Sequence, residues 1–511
     1  MQFNTRKMSL LNITIRSYFS IRDERLVALY ENQLQTQANW FYYMLKNGAK
    51  TTFGKDFGLH DELSYEQFAE RLPVQNYTTL QPYIQRIIEG ERNVLWHTKI
   101  SWVAKSSGTT SAKSKYLPVS NESLKLNNYL AAQDVLTFYC NLFPETEMFD
   151  GKGITLGGSI QLLEGKATVQ CGDISAVLME NMPVLGEILK APAKEVLLEP
   201  DWNKKLSLIA AHTAKENITS ISGVPSWMLL VMKELLNITG KRYIHEIWQN
   251  LELYMHGGVA FAPYKEEYKQ LFAQGNVFFM NMYNASEGFF GFQDQHNSDD
   301  LLLLTDHAVF YEFIELAETG SDNKKAIPLS EIELGKIYAI VITTAAGLWR
   351  YEIGDTIRFT SRNPYRFKIV GRTTQYINVF GEELIVDNAD KALAAACEAT
   401  QAIVAEYTAA PVYLNRETQI ACHEWIIEFT KQPADIELFT DILDNELKKV
   451  NSDYEAKRSQ NLMLQKPYLH VAPQGTFLKW LASHNKLGGQ YKVPRLQNER
   501  TILEEISGLY L

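Results

Sequence analysis

The chain is 511 residues long, with 46% hydrophobic and 22% charged residues and a net charge of −10. A chain of this length is too long for one hydrophobic core, so we expect two or more domains. The acidic balance argues against non-specific binding to nucleic acid or to an anionic membrane. It does not exclude anionic ligands, because a local glycine loop can bind phosphate on an acidic protein.

The four cysteines are scattered and form no C-x-x-C pair; they are Cys140, Cys171, Cys397 and Cys422. We expect buried free thiols in a reducing compartment, and the spacing predicts no zinc site. The N-terminal segment has several basic residues but lacks the apolar core of a secretory signal. The longest apolar run, 337–349, is interrupted and too short to span a bilayer. A cytoplasmic protein is therefore expected.

Hydrophobic periodicity predicts the first elements in chain order. Residues 21–50 carry apolar side chains at three- and four-residue steps, which predicts a helix. Residues 64–98 are predicted as loop and short helix, with Pro82 as one of the points where structure is interrupted. The apolar run 102–104 predicts a strand, and 120–141 is predicted to be helical again.

Farther along the chain, strands become frequent. Residues 152–182 are predicted as strands and turns, and 203–237 as two helices around a break at 222–225. The apolar runs that predict further strands are 251–255, 277–282, 309–316, 337–343 and 366–370. This mixture of strands and helices favours an α/β protein with several sheets.

A domain boundary is predicted near 371–374. The N-terminal domain would comprise residues 1–371. Residues 372–511 contain an alanine-rich stretch, 387–399, that predicts a helix, and about three strands and three helices in total. That is the size of a small α+β domain.

A hydroxyl-rich glycine loop follows the strand predicted at 102–104. It contains Ser106, Ser107, Gly108, Thr109 and Thr110, and Lys113 and Lys115 follow it. Backbone N–H groups around a glycine can form an anion nest, and the hydroxyls and lysines add donors for a polyphosphate. The spacing is not that of a Walker loop. The alternative is an ordinary solvent loop rich in serine and threonine.

A second segment, Tyr283-Asn284-Ala285-Ser286-Glu287, follows a predicted strand. The tyrosine ring could stack on a purine. Glu287 could hold Mg²⁺ between phosphate oxygens, because hard cations prefer carboxylate ligands. The alternative is a turn after a strand, with Glu287 solvated.

Two single residues complete the candidate site. Asp355 follows Gly354, and one carboxylate can accept two hydrogen bonds from a ribose diol. The alternative for Asp355 is an ion pair with Arg350 or Arg358. Lys492 lies in a loop near the C-terminus and could neutralise charge that develops on an α-phosphate, or it is simply an exposed lysine.

The order of these segments resembles that of the plant auxin-responsive acyl-acid amido synthetase family, part of the acyl-adenylate-forming superfamily. The resemblance covers nearly the whole chain. The segments that carry it are 106–118, 223–227, 254–264, 283–287, 350–355 and 490–495. It implies a large multi-sheet N-terminal domain of the luciferase-like, adenylate-forming type and a small α+β C-terminal domain.

The resemblance implies a two-step reaction with ATP and Mg²⁺. A carboxylate attacks the α-phosphate to give an acyl-adenylate, and the amine of an amino acid then displaces AMP. The carried-over roles are catalysis for Lys492, Mg²⁺ binding for Glu287 and ribose binding for Asp355. The other ATP-binding residues implied are Ser106, Ser107, Gly108, Thr109, Thr110, Lys115, Gly258, Tyr283, Asn284, Ser286 and Arg372, the last near a hinge that would let residues 372–511 swing.

The acyl side of the site departs from the plant pattern. Plant members often have an arginine on the helix after the first motif, but residues 119–140 contain only Lys125 as a cation. The plant hormones therefore cannot be transferred to this chain as substrates. The candidate walls of an apolar acyl pocket are Leu126, Tyr129, Leu130, Val224 and Trp227. The alternative for all five is ordinary core.

We therefore predict an ATP-dependent acid–amino acid ligase acting on a small carboxylic acid and an amino acid, with no nucleic-acid or membrane partner. One alternative is an acyl-CoA or acyl-carrier ligase that uses the same first step. Another is a non-catalytic nucleotide-binding protein.

Overall fold

The structure is a computed structural model. It describes residues 9–106, 115–163, 168–258, 261, 264–272, 277–316, 325–373, 376–377, 382, 384–412, 421–458, 464–484, 486–487 and 492–510. The chain divides into two units, each with its own internal packing. Unit 1 comprises residues 1–258 and 272–368, and unit 2 comprises residues 259–271 and 369–511.

The N-terminal part of unit 1 is helical. Its helices are α1 (Leu10–Ser20), α2 (Asp23–Tyr30), α3 (Gln33–Gly48), α4 (Thr52–Asp56), α5 (Tyr65–Arg71) and α6 (Tyr77–Ile88). The single helix predicted over 21–50 is corrected to two, because Asn32 adopts a left-handed conformation with φ of 53°.

Pro82 does not interrupt the structure as predicted but lies inside α6. A proline there removes one helical hydrogen bond. The side chain of Asn76 caps the helix, and Leu80, Ile84 and Ile87 bury one face of it. These contacts offset the loss.

The strands of unit 1 begin with the apolar run predicted at 102–104. They are β1 (Ile100–Ser106), β2 (Lys115–Ser120), β3 (Lys152–Thr155), β4 (Ile160–Gln161), β5 (Gln170–Gly172), β6 (Ile218–Gly223), β7 (Leu253–Gly257), β8 (Phe278–Ala285), β9 (Gly288–Gln293), β10 (Leu301–Leu303), β11 (Val309–Glu315), β12 (Ile327–Pro328), β13 (Ile337–Thr344), β14 (Tyr351–Arg362) and β15 (Tyr365–Arg372), of which residues 369–372 belong to unit 2.

These strands form two sheets over the described residues. One sheet has the order β2-β1-β5-β4, and the other the order β12-β11-β13-β14-β15-β10-β9-β8-β7-β6-β3. In the larger sheet the neighbouring strands β3, β6, β7 and β8 run parallel to one another. The pairs β8–β9, β9–β10, β10–β15, β14–β13, β13–β11 and β11–β12 are antiparallel. The prediction of an α/β protein with several sheets is confirmed.

The remaining helices of unit 1 lie between β2 and β7 in the chain. They are α7 (Asn121–Ser123), a π-helical turn (Leu124–Asn128), α8 (Tyr129–Leu142), α9 (Ile174–Glu180), α10 (Val184–Leu189), α11 (Lys194–Leu197), α12 (Trp202–Thr213) and α13 (Pro225–Thr239). The prediction for 203–237 needs one correction: β6 lies between α12 and α13. Its residues Ile218–Ser222 alternate poorly and are too few to give a clear period, which is typical of a buried parallel strand.

Unit 2 contains α14 (Lys265–Phe272) up to Leu271, and the C-terminal part of the chain. Its other helices and strands are β16 (Tyr376–Ile377), β17 (Leu384–Ile385), α15 (Val386–Thr400), β18 (Ile403–Val412), β19 (Cys422–Lys431), α16 (Ile436–Val450), α17 (Ser452–Arg458), β20 (Tyr468–Ala472), α18 (Thr476–Ser483) and α19 (Thr501–Ser507). β18, β19 and β20 form one sheet in that order. Helix α15 confirms the helix predicted at 387–399, but unit 2 has more elements than predicted.

The four cysteine thiols are free, and Cys140, Cys171 and Cys422 are buried while Cys397 is half-buried. Among the helices that the structure describes, none has both the length and the apolarity needed to cross a bilayer.

Glu252 is a buried acid beside the start of β7. Its backbone N–H donates to Thr219 O at 2.9 Å, and its carbonyl accepts from the N–H of Phe278 at 2.8 Å. Burial raises the pKa of its carboxyl to about 7, against the opposing hydrogen bond from the Thr146 hydroxyl. The folded protein therefore keeps a proton that the unfolded chain releases at about pH 4.3.

The contribution of Glu252 to the free energy of unfolding should therefore fall as pH rises from about 4.3 to about 7, by at most about 4 kcal/mol. Glu252→Gln should remove this contribution, so the variant should gain stability relative to the natural protein between pH 5 and pH 8. Thermal melting across this range measures the effect. The exposed neighbour Glu145 is the control, and Glu145→Gln should leave the profile unchanged. Parallel profiles for Glu252→Gln and the natural protein would contradict the assignment.

Candidate active site

The first predicted motif begins at the end of β1 and ends at the start of β2. Ser106 and Lys115 pair directly across the two antiparallel strands, and both are half-buried. Ser107, Gly108, Thr109 and Thr110 lie outside the described residues. The buried strand that leads into the loop is part of the main core of unit 1, through Trp102, Val103 and Ala104.

The second predicted motif is the hairpin between β8 and β9. Ala285 pairs with Gly288 across the hairpin, so Ser286 and Glu287 are its two turn residues. Tyr283 and Asn284 lie in β8. A two-residue turn holds the carboxylate of Glu287 at the end of a rigid strand pair.

The predicted glycine turn at 257–258 lies beside this hairpin. Gly257 pairs with Met282 in the parallel register of β7 and β8. A Cβ on Gly257 would lie 2.4 Å from Met282 O and 3.2 Å from Asn284 Oδ1, so only glycine fits. Gly258 has a φ of 85° and is exposed. The turn therefore brings its backbone against the second motif.

Tyr283 and Asp355 meet although they are 72 residues apart. The Tyr283 hydroxyl donates to Asp355 Oδ2 at 2.7 Å. The strands that carry them, β8 and β14, are separated in the sheet by β9, β10 and β15. Tyr283 is 5% exposed, and its ring packs against Phe290 and Phe367. The second and third motifs thus share one hydrogen bond.

Arg350 has a partner other than Asp355. Its Nε and Nη2 donate to both carboxylate oxygens of Glu312 at 2.8–3.1 Å, and its Nη1 donates to the carbonyls of Ala69 and Leu72. The guanidinium is therefore directed into the core at the end of α5. Of the two arginine pairs considered for Asp355, the one with Arg350 is excluded by this geometry.

Asn127 was not predicted as a site residue. It lies in the π-helical turn after the first motif and is buried. Its Nδ2 donates to the carbonyls of Phe289 and His307 at 2.9 and 3.0 Å, and its Oδ1 accepts from the N–H of Phe289 at 2.7 Å. It therefore fixes the hairpin that carries Glu287. The only sequence signal was a polar pair, Asn127-Asn128, inside an apolar helical pattern.

The five candidate acyl-pocket residues are distributed around α8 and α13. Leu126 and Tyr129 pack against the main core, and the Tyr129 hydroxyl donates to Leu178 O at 2.9 Å. Trp227 is buried and packs edge-on against Trp202 at 4.7 Å between ring centroids. Leu130 and Val224 are half-buried. Tyr129 and Trp227 therefore have packing roles of their own.

Two predicted site residues lie in unit 2. Arg372 ends β15, and Lys492 lies in irregular backbone before Pro494. Both are half-buried. Ser106, Lys115, Gly258, Tyr283, Glu287 and Asp355 all belong to unit 1.

Comparison with curated proteins finds plant relatives along most of the chain. The probable indole-3-acetic acid-amido synthetase GH3.1 of Arabidopsis thaliana is 25% identical, over 92% of this chain and 90% of the relative. The jasmonoyl-L-amino acid synthetase GH3.5 of Oryza sativa subsp. japonica is 23% identical, over 89% of this chain and 90% of the relative.

Comparison with solved structures finds the same fold. The GH3.15 acyl acid amido synthetase matches with a TM-score of 0.77 at 16% identity, over 99% of this chain and 97% of that chain. A 2-hydroxyisobutyryl-CoA ligase in the postadenylation state matches with a TM-score of 0.58 at 13% identity, over 93% of this chain and 90% of that chain. The predicted adenylate-forming fold is confirmed.

Family models match three successive parts of the chain. The GH3 family N-terminal domain matches residues 22–277, the central domain residues 302–372, and the C-terminal domain residues 387–501. The first of these alone covers half of the sequence. The chain therefore belongs to the GH3 family, which bears out its resemblance to the plant acyl-acid amido synthetases.

Proposed function

We propose that this protein is an ATP-dependent ligase that activates a small carboxylic acid as an acyl-adenylate and transfers the acyl group to an amino acid. The observation that carries the proposal is the 2.7 Å hydrogen bond between Tyr283 and Asp355. It joins the predicted purine-contacting and ribose-binding residues on one unit, as a single nucleotide would require.

Asp355 is the proposed ligand of the ribose diol. A carboxylate has two oxygens that can accept both diol hydroxyls. Because Oδ2 already accepts from Tyr283, the carboxylate is held in one orientation before ATP binds. Tyr283 would thus orient the Asp355 carboxylate for the ribose. Its predicted contact with adenine remains part of the proposal.

Glu287 is the proposed Mg²⁺ ligand. Mg²⁺ in nucleotide sites is usually held by one or two carboxylates plus phosphate oxygens, and a half-buried glutamate on a fixed two-residue turn fits that donor set. Bound Mg²⁺ would offset the negative charge of the phosphates. Asn127 would keep the Glu287 turn in place by its hydrogen bonds to Phe289.

In the first step, a carboxylate oxygen of the acid forms a bond to the α-phosphorus of ATP, and the bond to the pyrophosphate oxygen breaks. Two anions are brought together, so the step needs positive charge and backbone donors. Lys492 and the loop 106–110 are proposed to supply them. Residues 1–371 would bind ATP and the acid, and residues 372–511 would form the mobile domain that carries Lys492.

In the second step, the amine nitrogen of an amino acid forms a bond to the acyl carbon and loses a proton, and the bond to the AMP oxygen breaks. The products are an amide and AMP. The relatives named above are amido synthetases, and they match nine-tenths of this chain. A ligase that forms a CoA thioester has the same fold, so the acceptor is tested separately.

Acid-dependent exchange of radiolabelled pyrophosphate into ATP, with a panel of aliphatic and aromatic acids, tests the first step. At least one acid should support exchange. Mass spectrometry of the product, with amino acids or CoA supplied, should then give an amide. If none of the acids supports exchange, the protein would be a non-catalytic nucleotide-binding protein. A thioester product would favour the acyl-CoA ligase.

Lys492→Ala should lower the exchange rate by about 10²–10³-fold with little change in ATP binding, because its charge is needed mainly as the α-phosphate reacts. Lys479, an exposed lysine of unit 2, is the control, and Lys479→Ala should exchange normally. An unchanged rate in Lys492→Ala would remove Lys492 from the mechanism.

Tyr283→Phe should weaken ATP binding about fivefold, because loss of a hydrogen bond worth about 1 kcal/mol frees the Asp355 carboxylate to rotate. Asp355→Ala should weaken binding more, by about 10–100-fold. Calorimetric titration with ATP measures both. Tyr311→Phe, which removes a buried hydroxyl bonded to Leu304 O, should bind ATP normally. Equal affinities for Asp355→Ala and the natural protein would disprove the ribose role.

A further inference from the structure

Arg495 lies three residues after Lys492 and is buried in unit 2, with its side chain 7% exposed. A buried guanidinium is costly unless its charge and its donors are matched. The groups that contact the Arg495 guanidinium therefore indicate its structural role.

Four side chains surround the guanidinium. Nη1 donates to Asp390 Oδ1 at 2.5 Å, Nη2 lies 3.7 Å from Glu406 Oε1, and Nη2 donates to the Tyr264 hydroxyl at 3.4 Å. The guanidinium also lies over the ring of Tyr407, 4.8 Å from its centroid. The Tyr407 hydroxyl donates to the same oxygen of Asp390 at 2.6 Å.

The backbone around Arg495 is bound along β18. The N–H of Ala409 donates to Arg495 O at 2.7 Å, and the N–H of Gln497 donates to Ala409 O at 3.1 Å. The Thr408 hydroxyl donates to Pro494 O at 2.8 Å. Residues 494–497 therefore follow the edge of the strand as a short parallel extension.

Only Val493 separates Lys492 from this anchored segment, which begins at Pro494. Val493 is buried, and the ring of Pro494 fixes its own φ and restricts Val493 to extended conformations. The backbone from Lys492 to the anchor therefore has little freedom. Where the ammonium of Lys492 can reach depends on where Arg495 is held.

We propose that Arg495 is a positioning residue for Lys492: its guanidinium, held by Asp390, Glu406 and Tyr407, fixes the segment after Lys492 on β18 and so sets the reach of the lysine in the adenylation step. This inference rests on the proposed function of Lys492. Arg495 itself touches no substrate in this scheme. Its loss should therefore affect adenylation and leave the transfer of a preformed acyl group unaffected.

Two variants test the anchor. Arg495→Lys keeps a positive charge but cannot donate in a planar, forked arrangement. Asp390→Asn keeps the shape of the partner and removes its charge. The control is Arg458→Lys. Arg458 is also buried in unit 2 and forms two hydrogen bonds to Asp444 at 2.6–2.7 Å, so its replacement disturbs a comparable ion pair elsewhere.

The first measurement does not depend on activity. Trypsin cleaves after Lys492, because Val493 follows it, and the cleavage rate under native conditions reports local opening of the segment. We expect the rate to rise at least tenfold in Arg495→Lys and in Asp390→Asn, and to stay within twofold in Arg458→Lys. An unchanged rate in both anchor variants would overturn the proposal.

The second measurement compares the two half-reactions, with the acid that gives the fastest pyrophosphate exchange and its synthetic acyl-adenylate. In the anchor variants exchange should fall about 10–100-fold with the KM for ATP within twofold, while aminolysis of the acyl-adenylate stays within twofold. A parallel fall in both half-reactions would mean a general structural role and would overturn the proposal. Faster cleavage with a normal rate of pyrophosphate exchange would also overturn the proposal. If Lys492→Ala then exchanges at the normal rate as well, the proposed function of Lys492 is wrong; if Lys492→Ala exchanges slowly, only the positioning role of Arg495 is wrong.

Discussion

The buried ion pair between Arg350 and Glu312 determines where the third motif lies. Arg350 has a φ of 42°, a conformation that L-residues adopt at some cost, immediately before β14. Its guanidinium joins β11 to the C-terminal carbonyls of α5. The N–H of Gln75 donates to Arg350 O, and the N–H of Glu352 donates to Gln75 O. Removing one partner of such a pair typically costs about 3–5 kcal/mol. The contacts of Arg350 therefore fix the start of β14, the strand that carries Asp355.

The sequence predicted the elements whose patterns are local. The apolar runs that became β7, β8, β11, β13 and β15 are bounded by turn residues, and their positions were predicted closely. The misses have physical causes. Strand β6 is short and buried, so it has no alternating pattern. The break at Asn32 depends on a left-handed residue that asparagine tolerates, and Pro82 is accepted because the surrounding helix is well capped and buried.

The residues of the candidate site were proposed from the sequence without their contacts. The order of the motifs and the family resemblance, and not the residue types alone, suggested that Tyr283, Glu287 and Asp355 serve one nucleotide. Sequence spacing could not show that Tyr283 reaches Asp355, because the contact depends on the order of strands in the sheet. Nor could it separate Arg350 from Asp355, since a hairpin turn between them could have brought the arginine and the carboxylate together. Asn127 was missed because its only sequence signal, a polar pair inside an apolar helical pattern, does not show what the amide contacts.

The π-helical turn at 124–128 has a consequence for how this site could diversify. The N–H of Tyr129 donates to Leu124 O, so the turn contains one residue more than an α-helical turn would. Such insertions are frequent at functional sites. One residue corresponds to a rotation of about 100° around the helix axis. Deleting it would turn Tyr129 and Leu130, proposed walls of the acyl pocket, to another side while Asn127 could still hold the Glu287 hairpin. A change in the length of this turn would therefore reorient the proposed acyl-pocket side chains relative to the Glu287 hairpin.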